Sequence, residues 1–178
     1  MDINNDDIAI ITTGGTIDKV HDKLTEALVM PPDAAPAVRE ILRHGRSRAI
    51  KIIPLINKDS NDVADEDLER LLHAVREVDA TRIVITHGTS KLADTAQWLS
   101  ERVQGKTVIL TGAMRPYSFG NSDAAFNIGG AVLAAQTAPD GVYGVMNGLL
   151  IPARDLKKDL STGRFDTHAG LDGTQKEI

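Results

Sequence analysis

The chain has 178 residues, enough for one domain with a sizeable core. A net charge of -5 gives it none of the basic surplus of a nucleic-acid binder, and the absence of cysteine excludes disulfides, thiol catalysis and thiolate metal sites. No apolar run is long enough to cross a membrane, and the acidic opening Met1-Asp2-Ile3-Asn4-Asn5-Asp6-Asp7 is the opposite of a secretory leader, so a cytoplasmic protein is expected.

In chain order, Ile8-Ala9-Ile10-Ile11 is a short, unbroken β-branched run, the pattern of a central parallel strand covered on both faces. It enters Thr12-Thr13-Gly14-Gly15-Thr16, where two glycines allow positive φ and close backbone approach. Thr16 then lies beyond a strand's carboxyl end, where open α/β sheets bind ligands. Its hydroxyl there is a nucleophile if a neighbour takes its proton, or else a cap or turn group. Residues 17–32 read as a polar, irregular, exposed loop, a candidate lid beside a site. Asp33 is the expected cap of a helix that has Pro36 in its first turn and ends near Gly45. Residues 49–56 form a second strand, which Pro54 places at a sheet edge or strand end.

The polar cluster Asn57-Lys58-Asp59-Ser60-Asn61-Asp62 feeds an amphipathic helix, Asp65–Glu77, with Leu68, Leu71, Leu72 and Val75 on one face. Arg82–Thr86 is a third strand. It ends in His87-Gly88-Thr89-Ser90-Lys91, and a helix over residues 92–103 follows. His87 is either a base or a packed structural residue, the latter being the commoner fate of a histidine beside a buried strand. Residues 106–111 make a fourth strand, followed by Gly112-Ala113-Met114-Arg115-Pro116 and a loop over 117–123. A helix of small residues covers 126–137, and a fifth strand covers 142–146. Asn147-Gly148 is a hairpin signal, so residues 149–153 return antiparallel. After Arg154-Asp155-Leu156-Lys157-Lys158-Asp159, residues 160–178 read as a polar tail that crosses the surface or meets a second subunit.

Strands alternating with helices predict one α/β domain over 1–178. Its mostly parallel sheet has helices on both faces, Rossmann-like or flavodoxin-like, and ends in a β-hairpin. Thr16, Ser60, Thr89 and Ala113 all follow strand carboxyl ends, so they share one rim.

Four ordered blocks spread over nearly the whole chain carry more than a fold. They are Thr13-Gly14-Gly15-Thr16-Ile17, His87-Gly88-Thr89, Thr111-Gly112-Ala113-Met114-Arg115-Pro116 and Arg154-Asp155-Leu156-Lys157-Lys158. Together they resemble the amino-terminal domain of the bacterial-type L-asparaginases, the asparaginase/glutaminase family. The resemblance implies hydrolysis of asparagine, or of glutamine, to the acid and ammonia. It makes Thr16 the nucleophile and Thr89 a second essential threonine working with Lys158. Ser60, with Asp59 beside it, holds the substrate carboxylate, and Gly15, Gly88, Ser90 and Ala113 line the substrate. No metal or cofactor is implied. A lysine whose pKa is lowered can serve as base through a hydroxyl.

The chain departs from the family pattern at three places. Ser90 stands where the family carries an aspartate that pairs with the substrate's α-ammonium. His21 stands near the family's mobile-loop tyrosine and is a candidate proton carrier. The sequence stops where the family's second domain begins, so completing groups are expected from the tail or another copy, and a homodimer or higher oligomer is expected. The competing readings are a hydrolase of another small amide and a non-catalytic amino-acid-binding domain. A nucleotide site is disfavoured, because neither phosphate-binding glycine motif is present.

Overall fold

A computed structural model describes residues 8–167. In chain order the elements are β1 (Ile8–Gly14), β2 (Val20–His21), β3 (Leu28–Val29), α1 (Pro36–His44), β4 (Lys51–Lys58), α2 (Asp65–Glu77), β5 (Arg82–Thr86), α3 (Leu92–Ser100), β6 (Thr107–Thr111), α4 (Ala124–Thr137), β7 (Gly141–Met146), β8 (Leu149–Pro152), β9 (Leu156–Lys158) and β10 (Phe165–Thr167). Among the described residues no helix is long and apolar enough to cross a membrane.

The central sheet runs β4-β1-β5-β6-β7-β8. Its first five strands are parallel, and β8 is antiparallel to β7. Counted in chain order within this sheet, the parallel strands run 2-1-3-4-5, the flavodoxin-like order, with the expected hairpin added at one edge. Alternation along the buried strands divides the core in two. Ala9, Ile11, Ile83, Ile85, Val108 and Leu110 pack with α2 and α3 on one side. Ile10, Val84, Ile109 and Val145 pack with α1 and α4 on the other. Helices on both faces are therefore observed. Pro54 is accommodated because β4 is an edge strand, as its sequence required.

Three expectations are corrected. Residues 17–32 are an exposed irregular loop only in part, over residues 23–27. Thr16–Asp18 form a 3-10 turn in which Ile17 and Asp18 are buried, and β2 pairs antiparallel with β3. Asp33 does not cap α1. Asp18 does, its Oδ1 accepting from the Ala37 N–H at 3.2 Å, while Ala35 precedes the helix in left-handed backbone. The tail is not polar and peripheral throughout. Phe165 is fully buried, and β10 folds back antiparallel on β9, pairing Phe165 with Lys158. Residues 168–178 of the expected tail lie outside the described residues.

Candidate active site

The sheet order sets the place. The crossovers from β1 and β5 leave in opposite directions, which opens a crevice beyond their carboxyl ends. The turn after β1 carries Thr16 and the turn after β5 carries Thr89. Gly15 has φ +90°, and a Cβ there would come within 2.5 Å of the Gly88 backbone, so the two turns rest on each other. Gly88 has to be bare for the opposite reason: its missing side chain is replaced by Ser60, whose Oγ would stand 2.4 Å from a Cβ. The Gly15 N–H donates to the Lys58 carbonyl at 2.9 Å, tying the end of β4 to the same point. Thus Gly15, Ser60 and Gly88 meet without intervening side chains. Gly112 completes the rim, with a Cβ position 2.4 Å from the His87 carbonyl and 3.5 Å from Thr89 Cγ2. Ala113, next along, is fully buried.

Lys158 reaches this rim from β9. Its Nζ donates to Thr89 Oγ1 at 3.0 Å and lies 5.7 Å from the Phe165 ring centroid. Burial holds the Lys158 amine below its usual pKa. Thr89 is buried. Thr16 is half-buried, and its hydroxyl makes no hydrogen bond among the described residues. Ser60 is 3% exposed, and its hydroxyl is likewise unpartnered among them.

Residues 7–171 match the family model described as asparaginase, N-terminal. The chain belongs to the asparaginase family. L-asparaginase 2 of Escherichia coli (strain K12) is 31% identical over 165 residues, 87% of this chain and 47% of that one. A glutamyl-tRNA(Gln) amidotransferase chain of Methanococcus vannielii is 35% identical over 149 residues, 82% of this chain and 35% of that one. The thermostable L-asparaginase from Thermococcus kodakarensis superposes with a TM-score of 0.79 at 28% identity, over 90% of this chain and 50% of that one. The chain spans about half the length of the L-asparaginases it matches.

Within this asparaginase-family chain, Ser90 is exposed beside Thr89, and His21 is exposed on the β2–β3 hairpin, opposite Leu28. Asp59 is engaged: it accepts from Lys19 Nζ at 2.5 Å and from the Asn61 N–H at 2.9 Å. The Asn61 backbone bond and then Lys19 keep its pKa low. His87 is structural. A carbonyl can only accept, so the 2.9 Å contact to the Gly88 carbonyl puts the proton on Nδ1, and Nε2 accepts from the Thr95 hydroxyl at 3.2 Å. Burial pushes its pKa down, consistent with a neutral ring. Among the described residues no group of three or more His, Cys, Asp or Glu could hold a metal ion.

Two positioning groups are not evident from the sequence motifs. Lys19 pairs with Asp59, and its carbonyl accepts from Ser118 Oγ at 2.8 Å, which pins the Thr16 turn to the 117–119 turn. Asn127, buried on α4, donates to the Gly112 carbonyl at 3.0 Å and accepts from the Asn147 N–H at 3.2 Å. The Asn147 side chain in turn accepts from the Phe165 N–H at 2.9 Å, and Phe165 is the ladder partner of Lys158. A lone asparagine in the otherwise apolar run of residues 124–135 was the available signal.

Proposed function

We propose that the chain is an amidohydrolase that cleaves a small carboxamide, asparagine or a close relative, through an ester on Thr16. Thr16 Oγ attacks the amide carbon, and its proton passes through the Thr89 hydroxyl to the Lys158 amine. The C–N bond breaks, the proton returns to the leaving nitrogen, and ammonia departs. Water then attacks the Thr16 ester, releasing the acid and restoring the hydroxyl. Backbone N–H groups of the glycine turns meet the developing oxyanion. Ser60 holds the substrate carboxylate.

The observation that carries this reading is the Lys158–Thr89 hydrogen bond, from an amine whose pKa burial lowers, on the turn that touches the Thr16 turn. Family membership supports the reaction class. His21, exposed on the β2–β3 hairpin, belongs to the reading as a proton carrier. A homo-oligomer also belongs to it, supported by exposed Phe126 and Leu133 on α4 and exposed Leu149 and Leu150 on β8.

The test is ammonia release from asparagine, glutamine and a panel of small amides by the wild type and Thr16→Ala. Release that disappears in the variant supports the mechanism. Release that survives removes it.

A further inference from the structure

β1 and β4 are ladder partners, but their register shifts at the rim. Thr12 pairs with Pro54 and Gly14 with Lys58, so four steps along β4 match two along β1. Strand pairing therefore does not set how far the Ser60 turn stands from the Thr16 turn. The last backbone tie between them is the Gly15–Lys58 bond. Beyond it, among the described residues, the one hydrogen bond from 16–19 to 59–62 runs from Lys19 Nζ to Asp59 Oδ2 at 2.5 Å. The two side chains are only 21% and 25% exposed, which strengthens their attraction over that of a fully solvated pair. Both ends of this strut are anchored. The Lys19 N–H donates to the Thr16 carbonyl at 3.2 Å, and the Lys19 carbonyl accepts from Ser118 Oγ at 2.8 Å. Asp59 precedes the 3-10 turn Ser60–Asp62, and its other carboxylate oxygen accepts from the Asn61 N–H at 2.9 Å.

We infer that the Lys19–Asp59 pair sets the reach of the site. It fixes the separation between Thr16, which attacks the amide, and Ser60, which holds the carboxylate, and so determines how many methylenes the substrate carries between them. Lys19 is thus a positioning residue that acts through two turns. The inference rests on the roles given above to Thr16 and Ser60. A ligand held at both ends is discriminated by a single methylene, because the wrong length leaves one end out of place.

The experiment measures kcat/KM for asparagine and for glutamine, which differ by one methylene, in the full chain, Lys19→Met, Asp59→Asn and the double variant. Lys19→Met leaves both Lys19 backbone bonds in place, and Asp59→Asn keeps an acceptor for the Asn61 N–H. Each therefore removes the ion pair without unmaking the turn it stands on, and where one variant does not fold the other carries the test. The expected result is a wild-type ratio that moves at least about tenfold toward one in each single variant, with no further change in the double. A fall in both activities by the same factor overturns the inference, since a merely structural brace would give that. So does an unchanged ratio, a wild type that separates the two amides by less than about tenfold, or a double variant in which the two effects multiply. If the wild type turns over neither amide, the amidohydrolase reading falls, and calorimetry with L-aspartate and L-glutamate, the corresponding acids, tests the strut by binding alone. A wild-type affinity ratio that collapses in the variants supports it, and an unchanged ratio or no binding of either acid overturns it.

Discussion

Lys158 meets Thr89 across 69 residues of sequence, an amine on a three-residue strand donating to a hydroxyl at the switch point of the sheet. Burial disfavours the charged amine and so raises the fraction present as free base at a given pH. Lys158→Met is expected to lower kcat by about 10²–10⁴-fold, the range for loss of a positioned base, with a smaller change in KM. In the wild type the rate should rise with pH as the amine loses its proton, through a midpoint below the ordinary lysine value. Lys158→Arg, which cannot deprotonate, should abolish that rise while keeping the charge. A wild-type pH–rate profile matched by either variant would remove Lys158 from proton transfer.

The contact between Gly15 and Gly88 makes a separate prediction. Gly15→Ala asks alanine to adopt φ +90°, and its Cβ would meet the Gly88 backbone at 2.5 Å. The left-handed conformation costs about 1–2 kcal/mol, and overpacking adds about 1–3 kcal/mol. Gly88→Ala carries no φ penalty but presses on Ser60. It should raise KM more than it lowers stability. Chemical denaturation and steady-state kinetics on both variants separate the two costs. Equal stability losses would place Ser60's role in packing rather than binding.

The polar chain through Asn127 links the Gly112 turn to the strand that carries Lys158. Asn127→Leu keeps the volume and leaves the Gly112 carbonyl and Asn147 N–H without their partner. Gly112 is buried, and leaving its carbonyl unsatisfied costs about 1–3 kcal/mol. Loss of this brace should also lower kcat, because Asn147 orients Phe165 and Phe165 pairs with Lys158. Asn147→Ala should reproduce the kinetic loss with a smaller loss of stability, since only the Phe165 link is cut. Unchanged kcat in both variants would confine the network to stability.

What could be read from residues alone follows range in sequence. The runs at Ile8–Ile11, Ile83–Ile85 and Val108–Leu110 announce buried parallel strands because burial on both faces removes polar alternation. Once those strands alternate with helices, the shared rim follows, and Thr16, Ser60 and Thr89 fall on it. The chain gave no such signal for Asp18. Its carboxylate caps a helix 19 residues on, whereas Asp33 had the sequence position of a cap and lost the role. Phe165 looked like an isolated apolar residue in a polar tail. It is fully buried because β10 finds β9, a pairing set by tertiary packing rather than by local pattern. His87 had the right residue type for catalysis and the wrong surroundings, since both ring nitrogens are occupied.

Asp18 also makes stability depend on pH. Burial pushes its carboxyl up to about 6, against the pull of the Ala37 N–H and Arg39, and its Oδ2 has no hydrogen-bond partner among the described residues. A group whose pKa is raised in the folded state binds its proton more tightly there. Its contribution is fully present below the unfolded value of 3.8 and is lost as pH rises through about 6. At about 1.4 kcal/mol per unit, the linked loss approaches roughly 3 kcal/mol by neutral pH. Asp18→Asn keeps the acceptor for Ala37 and removes the ionisation, although its new amide N–H takes over the unpartnered position. The variant should therefore unfold at higher denaturant than the wild type at pH 7–8, by about 1–2 kcal/mol, with the gap closing toward pH 4. The same series should leave the Lys158-dependent rise in rate in place, because Asp18 caps α1 and makes no hydrogen bond to Lys158 or Thr89. A wild-type advantage at pH 7–8 would mean that the ionised carboxylate, through Ala37 and Arg39, outweighs its burial.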